Sequence, residues 1–168
     1  MPYYLAQHQS AWGPVFLLHD QNSIFALSLP GTDKQDFLAR YKKEIITQET
    51  TPSNLSQKCF FQLDEYFSGK RQSFDLVTQQ AGTAFQQKVW RALTKIPHAS
   101  TASYKDIAEK IKHPKAYRAV GMANNKNNIP IIIPCHRVIG HNKKLVGFAG
   151  GLALKQKLLR HEQDACLV

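Results

Sequence analysis

The sequence predicts an α/β (α+β) fold, in which a small N-terminal domain with an antiparallel sheet and flanking helices precedes a mostly helical C-terminal domain. Short apolar runs separated by turn residues dominate the first half of the chain. From Thr83 onward, apolar residues recur at helical spacing instead. The polar segment 78–82 separates these two patterns. We therefore expect one domain over 1–77, a linker over 78–82 and a second domain over 83–168.

The first element expected in the N-terminal domain is a β-hairpin. Apolar runs at 15–18 and 23–29 flank Asp20, Gln21 and Asn22, and these three residues favour a turn. Pro30 and Gly31 end the second strand. Two helices are predicted next, over 33–46 and 55–67, with the polar segment 48–54 between them.

Three helices are predicted in the C-terminal domain before the chain reaches its cysteine-containing segment. Thr83 and Gln86 fit a capping box at the start of the first helix. Ser103 is placed to cap the second helix, which His113 and Pro114 end. The third helix begins near 115. The predicted apolar face of the first helix comprises Phe85, Val89, Ala92, Leu93 and Ile96.

The second and third of these helices, joined by a short turn, are a candidate helix-turn-helix for binding DNA. Small residues at 119, 121 and 123 would let the third helix approach a groove wall closely. A helical hairpin with a merely solvated basic face gives the same pattern, so both interpretations stay open at this point. The spacing turns Ala116, Ala119, Val120 and Ala123 inward and leaves Lys115, Tyr117, Arg118 and Lys126 outward.

The segment 129–140, with sequence IPIIIPCHRVIG, places Cys135, His136 and Arg137 directly after an apolar run. The three isoleucines at 131–133 predict a short buried strand that holds the cysteine rigidly. A thiol beside an imidazole and a guanidinium suggests a lowered pKa and a nucleophilic thiolate. A buried cysteine that only fills space is the alternative, and this motif alone does not separate the two.

Composition and charge restrict the classes of partner and of site. The 168 residues carry a formal charge of +10, which favours a polyanionic partner, nucleic acid before membrane. Three cysteines without Cys-x-x-Cys spacing argue against a disulfide framework and against a zinc site, and we expect neither metal nor cofactor. The chain shows no signal-peptide pattern and no membrane-spanning run, so a cytoplasmic protein without membrane association is expected.

The segment NIPIIIPCHRVIG, followed by GFAGG and LLRHE, resembles the O6-alkylguanine-DNA alkyltransferases, also called methylated-DNA–protein-cysteine methyltransferases. The likeness extends back through GTAFQQKVW and SYKDIAEKI to RAVGMA and so covers the second half of the chain. It implies a single-turnover DNA repair protein. Such a protein flips O6-alkylguanine out of duplex DNA from the minor groove and moves the alkyl group irreversibly to Cys135. A monomer is expected, and O4-alkylthymine stays open as a second substrate.

The resemblance also implies roles for particular residues. His136 deprotonates Cys135 through a water, Glu162 orients His136, and Tyr104 supplies a proton to the departing guanine. Arg118 takes the place of the flipped base, and Asn127 is the hinge between the recognition helix and the cysteine loop. The implied DNA contacts are Lys115, Tyr117, Arg118, Ala119, Lys126 and Arg137, and the implied substrate pocket is Val138, Phe148, Ala149 and Gly150.

The chain departs from the common family pattern at two positions. Asn128 stands where many members have proline, which leaves the loop less restricted. Phe148 stands where a tyrosine is common, so the ring remains for stacking and a hydroxyl is lost. The alternative functions are a lesion-binding relative without transfer, a Cys-His hydrolase and a helix-turn-helix regulator.

Overall fold

The computed structural model describes residues 2–166, which form two compact units. The first unit ends at Gln80 and the second begins at Ala81. The predicted fold class is confirmed, because a sheet dominates the first unit and helices dominate the second.

The first unit contains a four-stranded sheet in the order β3-β2-β1-β4. The predicted hairpin is formed by β2 (Gly13–His19) and β3 (Ile24–Leu27), which pair antiparallel. The strand β1 (Tyr3–Ser10), which the sequence analysis did not predict, pairs antiparallel with β2. The edge strand β4 (Ile46–Gln48) runs parallel to β1, so the sheet is mixed rather than wholly antiparallel.

The helix predicted over 33–46 is much shorter than expected. Helix α1 covers only Lys34–Ala39, and Asp33 caps it by accepting from the amides of Gln35 and Asp36. The prediction failed at its C-terminal end because Ile46 pairs with Tyr3 and enters β4. Long-range pairing therefore overrode local helical spacing there. The predicted second helix is confirmed as α2 (Asn54–Phe67), with Ser53 as its cap.

The second unit begins with α3 (Ala84–Leu93), whose predicted capping box is present. The ring nitrogen of Trp90 in this helix donates to the carbonyl of Ala123, 2.9 Å away. Helix α3 is thus tied directly to the helix that contains Ala123.

The second unit also contains two short strands, β5 (Ala102–Ser103) and β6 (Val138–Ile139), which pair in parallel. Helix α6 (Leu152–Ala165) is the last element of the described chain.

The helix-turn-helix candidate consists of α4 (Tyr104–Lys110) and α5 (Tyr117–Asn125). Ser103 caps α4 and forms a capping box with Asp106. On α5, Val120 and Ala123 are buried as predicted, but Ala119 is exposed, which corrects its predicted inward position. Ala119 is rotated by about 100° around the helix from its buried neighbour Val120, which leaves its side chain outside the packed face.

The three isoleucines at 131–133 do not form the predicted strand. Ile131 has a φ of 73°, and the amide of Ile133 donates to the carbonyl of Ile129 at 3.0 Å. The segment is therefore a turn. A β-branched residue rarely adopts this backbone region, so the surrounding contacts must stabilise it. The segment is buried as expected, although the prediction of its conformation was wrong.

We expect Ser103→Ala to lower the free energy of unfolding of the second unit by about 1 kcal/mol, because the cap of α4 is lost. Denaturant unfolding followed by circular dichroism measures this change. Thr101→Ala, at an exposed position just before β5, is the control and should change stability little. Equal destabilisation by both substitutions would contradict a specific capping role.

Candidate active site

Cys135 begins a short 3₁₀ turn over Cys135–Arg137, directly after the isoleucine turn. Its side chain is buried, with 5% of the residue exposed, and its amide donates to the carbonyl of Ile133 at 2.8 Å. The turn resolves a geometric problem, because neighbouring side chains on an extended strand would point to opposite faces. A helical turn instead allows Cys135 and His136 to share one environment.

Asn127 stabilises the segment that leads to the cysteine. Its side-chain amide donates to the carbonyl of Ile133 at 2.8 Å, and its side-chain oxygen accepts from the amide of Ile129 at 3.0 Å. A further hydrogen bond from Asn127 reaches the Cys135 side chain and favours its thiolate form. The residue predicted as a hinge thus lies in the chain between α5 and Cys135, and it contacts both the turn and the Cys135 thiol.

His136 and Glu162 form a buried pair, in which Nε2 of His136 lies 2.6 Å from Oε1 of Glu162. Both residues are fully buried. Burial lowers the pKa of His136, although Glu162 opposes this effect, so the imidazole is neutral at rest. Since Nε2 must then donate its proton to the carboxylate, Nδ1 carries the free lone pair. Within residues 2–166, Nδ1 has no hydrogen-bond partner and can act as a base.

Arg137 does not lie where a DNA contact requires it, which corrects the sequence prediction. Its Nε and Nη2 atoms donate to Glu162 at 3.0 and 2.9 Å, and its Nη1 atom donates to the carbonyl of Ile96 at 2.7 Å. The guanidinium is buried and its donors point into the protein. Arg137 therefore holds Glu162 in place, because a buried carboxylate requires a counter-charge.

Glu162 is charged despite its burial. Burial alone would raise the pKa of Glu162, but hydrogen bonds from His136 and Arg137, together with the positive charge of Arg137, outweigh it and hold the pKa far below its usual range. The amide of Ala99 adds a third donor at 3.1 Å. The cluster formed by His136, Arg137 and Glu162 is called the carboxylate cluster below.

The pKa of the Cys135 thiol is raised, contrary to the sequence prediction of a lowered value. Burial raises it, and the hydrogen bond from Asn127 and the charge of Lys155 offset this only in part. The predicted positive neighbours do not act as expected, because Arg137 is paired with Glu162 and His136 is neutral. The Cys135 side chain is therefore a protonated thiol at rest, and it would need a base to become a nucleophile.

Lys155 is a site residue that the sequence analysis missed. It is fully buried, and its Nζ atom donates to the carbonyls of Val138 at 2.5 Å and Val146 at 2.9 Å. Burial lowers its pKa to about 8. Because lysine side chains on helices are usually exposed to solvent, Lys155 was not expected to be buried. The available signal was its position seven residues before Glu162, which places both on one face of α6.

The segment between β6 and α6, residues 140–151, forms a loop beside this site. The hydroxyl of Tyr104 donates to the carbonyl of Val146 at 3.0 Å, which together with Lys155 anchors the loop at Val146. Burial raises the pKa of Tyr104, so its hydroxyl keeps its proton. Of the predicted pocket residues, Val138 is buried, Phe148 is half-buried, and Ala149 and Gly150 are exposed.

The predicted DNA-contact residues other than Arg137 form an exposed set on and around α5. The guanidinium carbon of Arg118 lies 6.0 Å from the ring centroid of Tyr117. Met122 adds an apolar side chain that is 70% exposed. The exposed predicted contacts are Lys115, Tyr117, Arg118, Ala119 and Lys126. Positive charge and unshielded apolar surface therefore occur together on this helix.

Among residues 2–166, no group of three histidine, cysteine or acidic side chains is arranged to hold a metal ion. No helix in the described part of the chain is long and apolar enough to cross a membrane.

Two family models match the sequence. Residues 84–164 match the DNA binding domain of 6-O-methylguanine DNA methyltransferase, and residues 3–80 match its ribonuclease-like domain. A methylated-DNA–protein-cysteine methyltransferase of Methanosarcina barkeri is 46% identical over 161 residues, covering 93% of this chain and 94% of the relative. The constitutive enzyme of Bacillus subtilis with the same name is 43% identical, covering 88% and 87%.

Solved structures agree in fold over nearly the whole chain. Mycobacterium tuberculosis OGT in complex with DNA superposes with a TM-score of 0.81 at 35% identity, covering 98% of this chain and 94% of that one. The O6-methylguanine methyltransferase of the same organism gives 0.79 at 36% identity, covering 97% and 93%.

We expect Lys155→Met to slow the reaction of Cys135 with iodoacetamide about tenfold at pH 7, because the lysine charge that favours the thiolate is lost. With a pKa of about 8, Lys155 is charged at pH 7 and largely neutral at pH 9. The difference between variant and wild type should therefore shrink as pH rises through this range. Mass spectrometry of the Cys135 peptide separates its labelling from that of exposed Cys166.

Lys157→Met, two residues further along α6 at an exposed position, is the matched control. A loss of Cys135 reactivity that is equal at pH 7 and pH 9 would contradict an electrostatic role for Lys155.

Proposed function

Because this chain belongs to the 6-O-methylguanine DNA methyltransferase family, we propose that Cys135 is the cysteine that receives the alkyl group. The protein is a methylated-DNA–protein-cysteine methyltransferase, which repairs DNA by transferring alkyl groups to a cysteine of its own. The single observation that carries the assignment is the arrangement of Cys135 beside His136, whose other ring nitrogen is held by Glu162.

The other two cysteines lack this environment. Burial raises the pKa of Cys59 to about 12, and Cys59 lies on α2 in the first unit. Cys166 is exposed at the end of α6 and lies 3.6 Å from His98. Neither cysteine combines burial with a neutral imidazole that a buried carboxylate orients. Cys135 is therefore the best-supported acceptor.

The proposed reaction begins with removal of the Cys135 proton. Nδ1 of His136 accepts this proton through one water, while Nε2–H remains hydrogen-bonded to Glu162. The imidazolium therefore forms beside a carboxylate that is already charged. The thiolate sulfur then attacks the alkyl carbon, and the bond from that carbon to O6 breaks. The electron pair of the broken bond goes to the base, which takes up a proton. Because the thioether product is stable, the protein reacts once.

Tyr104 is the proposed proton donor to the departing base. Its raised pKa keeps the hydroxyl protonated. In the structure that hydroxyl donates to the carbonyl of Val146, so it must exchange this partner for the base. The exchange involves the same loop that Lys155 anchors, and it couples entry of the base to the position of residues 146–148.

The protein binds DNA, and we propose that α5 enters the minor groove. An O6-alkyl group cannot reach a buried thiol while its base remains stacked, so the substrate O6-alkylguanine must flip. Exposed Arg118 is the proposed residue that fills the space in the stack, and Phe148 is the proposed stacking partner of the flipped base. We further propose that a monomer carries out the reaction and that 83–168 contains all the residues that perform it.

Cys135→Ser is expected to abolish alkyl transfer and to leave DNA binding within about twofold of wild type, because a hydroxyl of much higher pKa is a poor nucleophile. Intact mass after mixing with DNA containing O6-methylguanine measures transfer, and gain of one methyl on the Cys135 peptide is the wild-type result. Cys166→Ser is the control and should still gain the methyl. Transfer by the Cys135→Ser variant would falsify the assignment, and many products per protein would indicate a hydrolase.

Arg118→Ala is expected to slow repair of duplex DNA about tenfold or more while changing the reaction with free O6-benzylguanine by no more than about twofold. The free base needs no extrusion and leaves no gap in a stack. Second-order rate constants for both substrates measure the effect, and Arg160→Ala, on the exposed face of α6, is the control. An equal loss on both substrates would assign Arg118 to folding or chemistry instead.

A further inference from the structure

Asn124 lies on the buried face of α5 and contacts the residue that carries the nucleophile. Only 3% of Asn124 is exposed, and its side-chain Nδ2 donates to the backbone carbonyl of Cys135 at 3.3 Å. This contact settles the orientation of the amide, because a carbonyl requires a donor. The side-chain oxygen Oδ1 must then occupy the other position of the amide.

The oxygen Oδ1 of Asn124 is buried and has no hydrogen-bond partner among residues 2–166. Buried acceptors are nearly always satisfied, and an exception calls for an explanation such as a bound donor. Three buried side-chain atoms share this condition in the described chain, and two of them flank Cys135: Oδ1 of Asn124 and Nδ1 of His136. The proposed mechanism assigns a function to Nδ1 but none to Oδ1.

The position of Asn124 on α5 connects it to both ends of the proposed reaction. Arg118 lies six residues earlier on the exposed side of the same helix, where it would contact DNA. Asn124 lies on the buried side of this helix, where its amide contacts Cys135. A base that enters from the DNA side and reaches Cys135 therefore arrives next to the Asn124 amide.

The chemistry of guanine supplies the missing donor. Its O6 atom and its exocyclic 2-amino group lie on the same edge of the base, with N1 between them. In the pose considered, the alkyl carbon on O6 meets the Cys135 sulfur and that edge of the base faces the backbone of the same residue. The 2-amino group then has two hydrogens to donate. The Cys135 carbonyl retains a second lone pair beyond the one that Asn124 uses.

We propose that Oδ1 of Asn124 accepts a hydrogen bond from the 2-amino group of the flipped base, so that Asn124 selects guanine over bases that lack this group. The inference rests on the proposed function of Cys135. Thymine presents a carbonyl oxygen at position 2, and the lone pairs of this oxygen would repel those of Oδ1 of Asn124. Asn124 thus disfavours O4-alkylthymine as well as O6-alkylated purines without the amino group.

The test compares transfer rates on two duplexes of identical sequence, one with O6-methylguanine and one with O6-methylhypoxanthine, which lacks only the 2-amino group. Wild type should react about tenfold faster with methylguanine, the usual effect of one buried hydrogen bond. Asn124→Leu has nearly the same shape without the oxygen and should reduce this ratio to about one, whatever the absolute rates. Asn125→Leu, at the adjacent exposed position, should keep the wild-type ratio.

Asn124→Ala serves the same comparison if the leucine variant does not fold, with melting temperature as the check. Slowing of both substrates by the same factor would show a structural role and overturn the inference, as would a wild-type ratio near one. A wild type that transfers no methyl to Cys135 from either duplex would instead refute the proposed function. If both Asn124 variants transfer the methyl group with the wild-type ratio, the proposed hydrogen bond from Asn124 to the 2-amino group is refuted, and the proposed function of Cys135 stands.

Discussion

The buried negative charge of Glu162 is the constraint on which the rest of the active site depends. A carboxylate without solvent is stable only when donors and a counter-charge surround it, and Glu162 receives them from His136, Arg137 and the Ala99 amide. These partners belong to different segments, so the carboxylate cluster joins α6 to the cysteine turn and to the loop after α3. Removing one partner of such a buried pair typically costs about 3–5 kcal/mol, so structure and chemistry are inseparable here.

The second consequence of this cluster is electrostatic. The positive charge of Arg137 is paired with Glu162, and His136 is neutral with its Nε2 proton hydrogen-bonded to the same carboxylate. Little positive charge is therefore left to stabilise a thiolate at Cys135. Among the described residues, Lys155 is the charged group that still favours the thiolate. The resting thiol is therefore protonated and buried, which limits its reaction with molecules other than a DNA base that has entered the site. In the proposed mechanism, proton transfer to His136 is therefore a step of the reaction and not a feature of the resting protein.

Features with short-range causes could be predicted from the sequence. The capping box at Thr83, the cap at Ser103 and the turn of the β2-β3 hairpin each depend on residues within a few positions. Features with long-range causes were missed or wrong. Helix α1 ends early because Ile46 pairs with Tyr3, which is distant in the chain. The turn at 131–133 is a separate failure with nearby partners, because Asn127 and Ile129 supply the hydrogen bonds to Ile133 that close it. Hydrophobic spacing contains no information about such partners.

The sequence by itself determined the reactive residue types, their spacing and the resemblance to a family, because these depend only on the identity and order of side chains. Only the tertiary structure decided what surrounds each of those side chains. Arg137 faces Glu162 rather than DNA, Lys155 is buried, and the Cys135 pKa is raised. The physical reason is that a pKa or a contact depends on the solvent removed and on the charges brought near, and both come from residues distant in the chain.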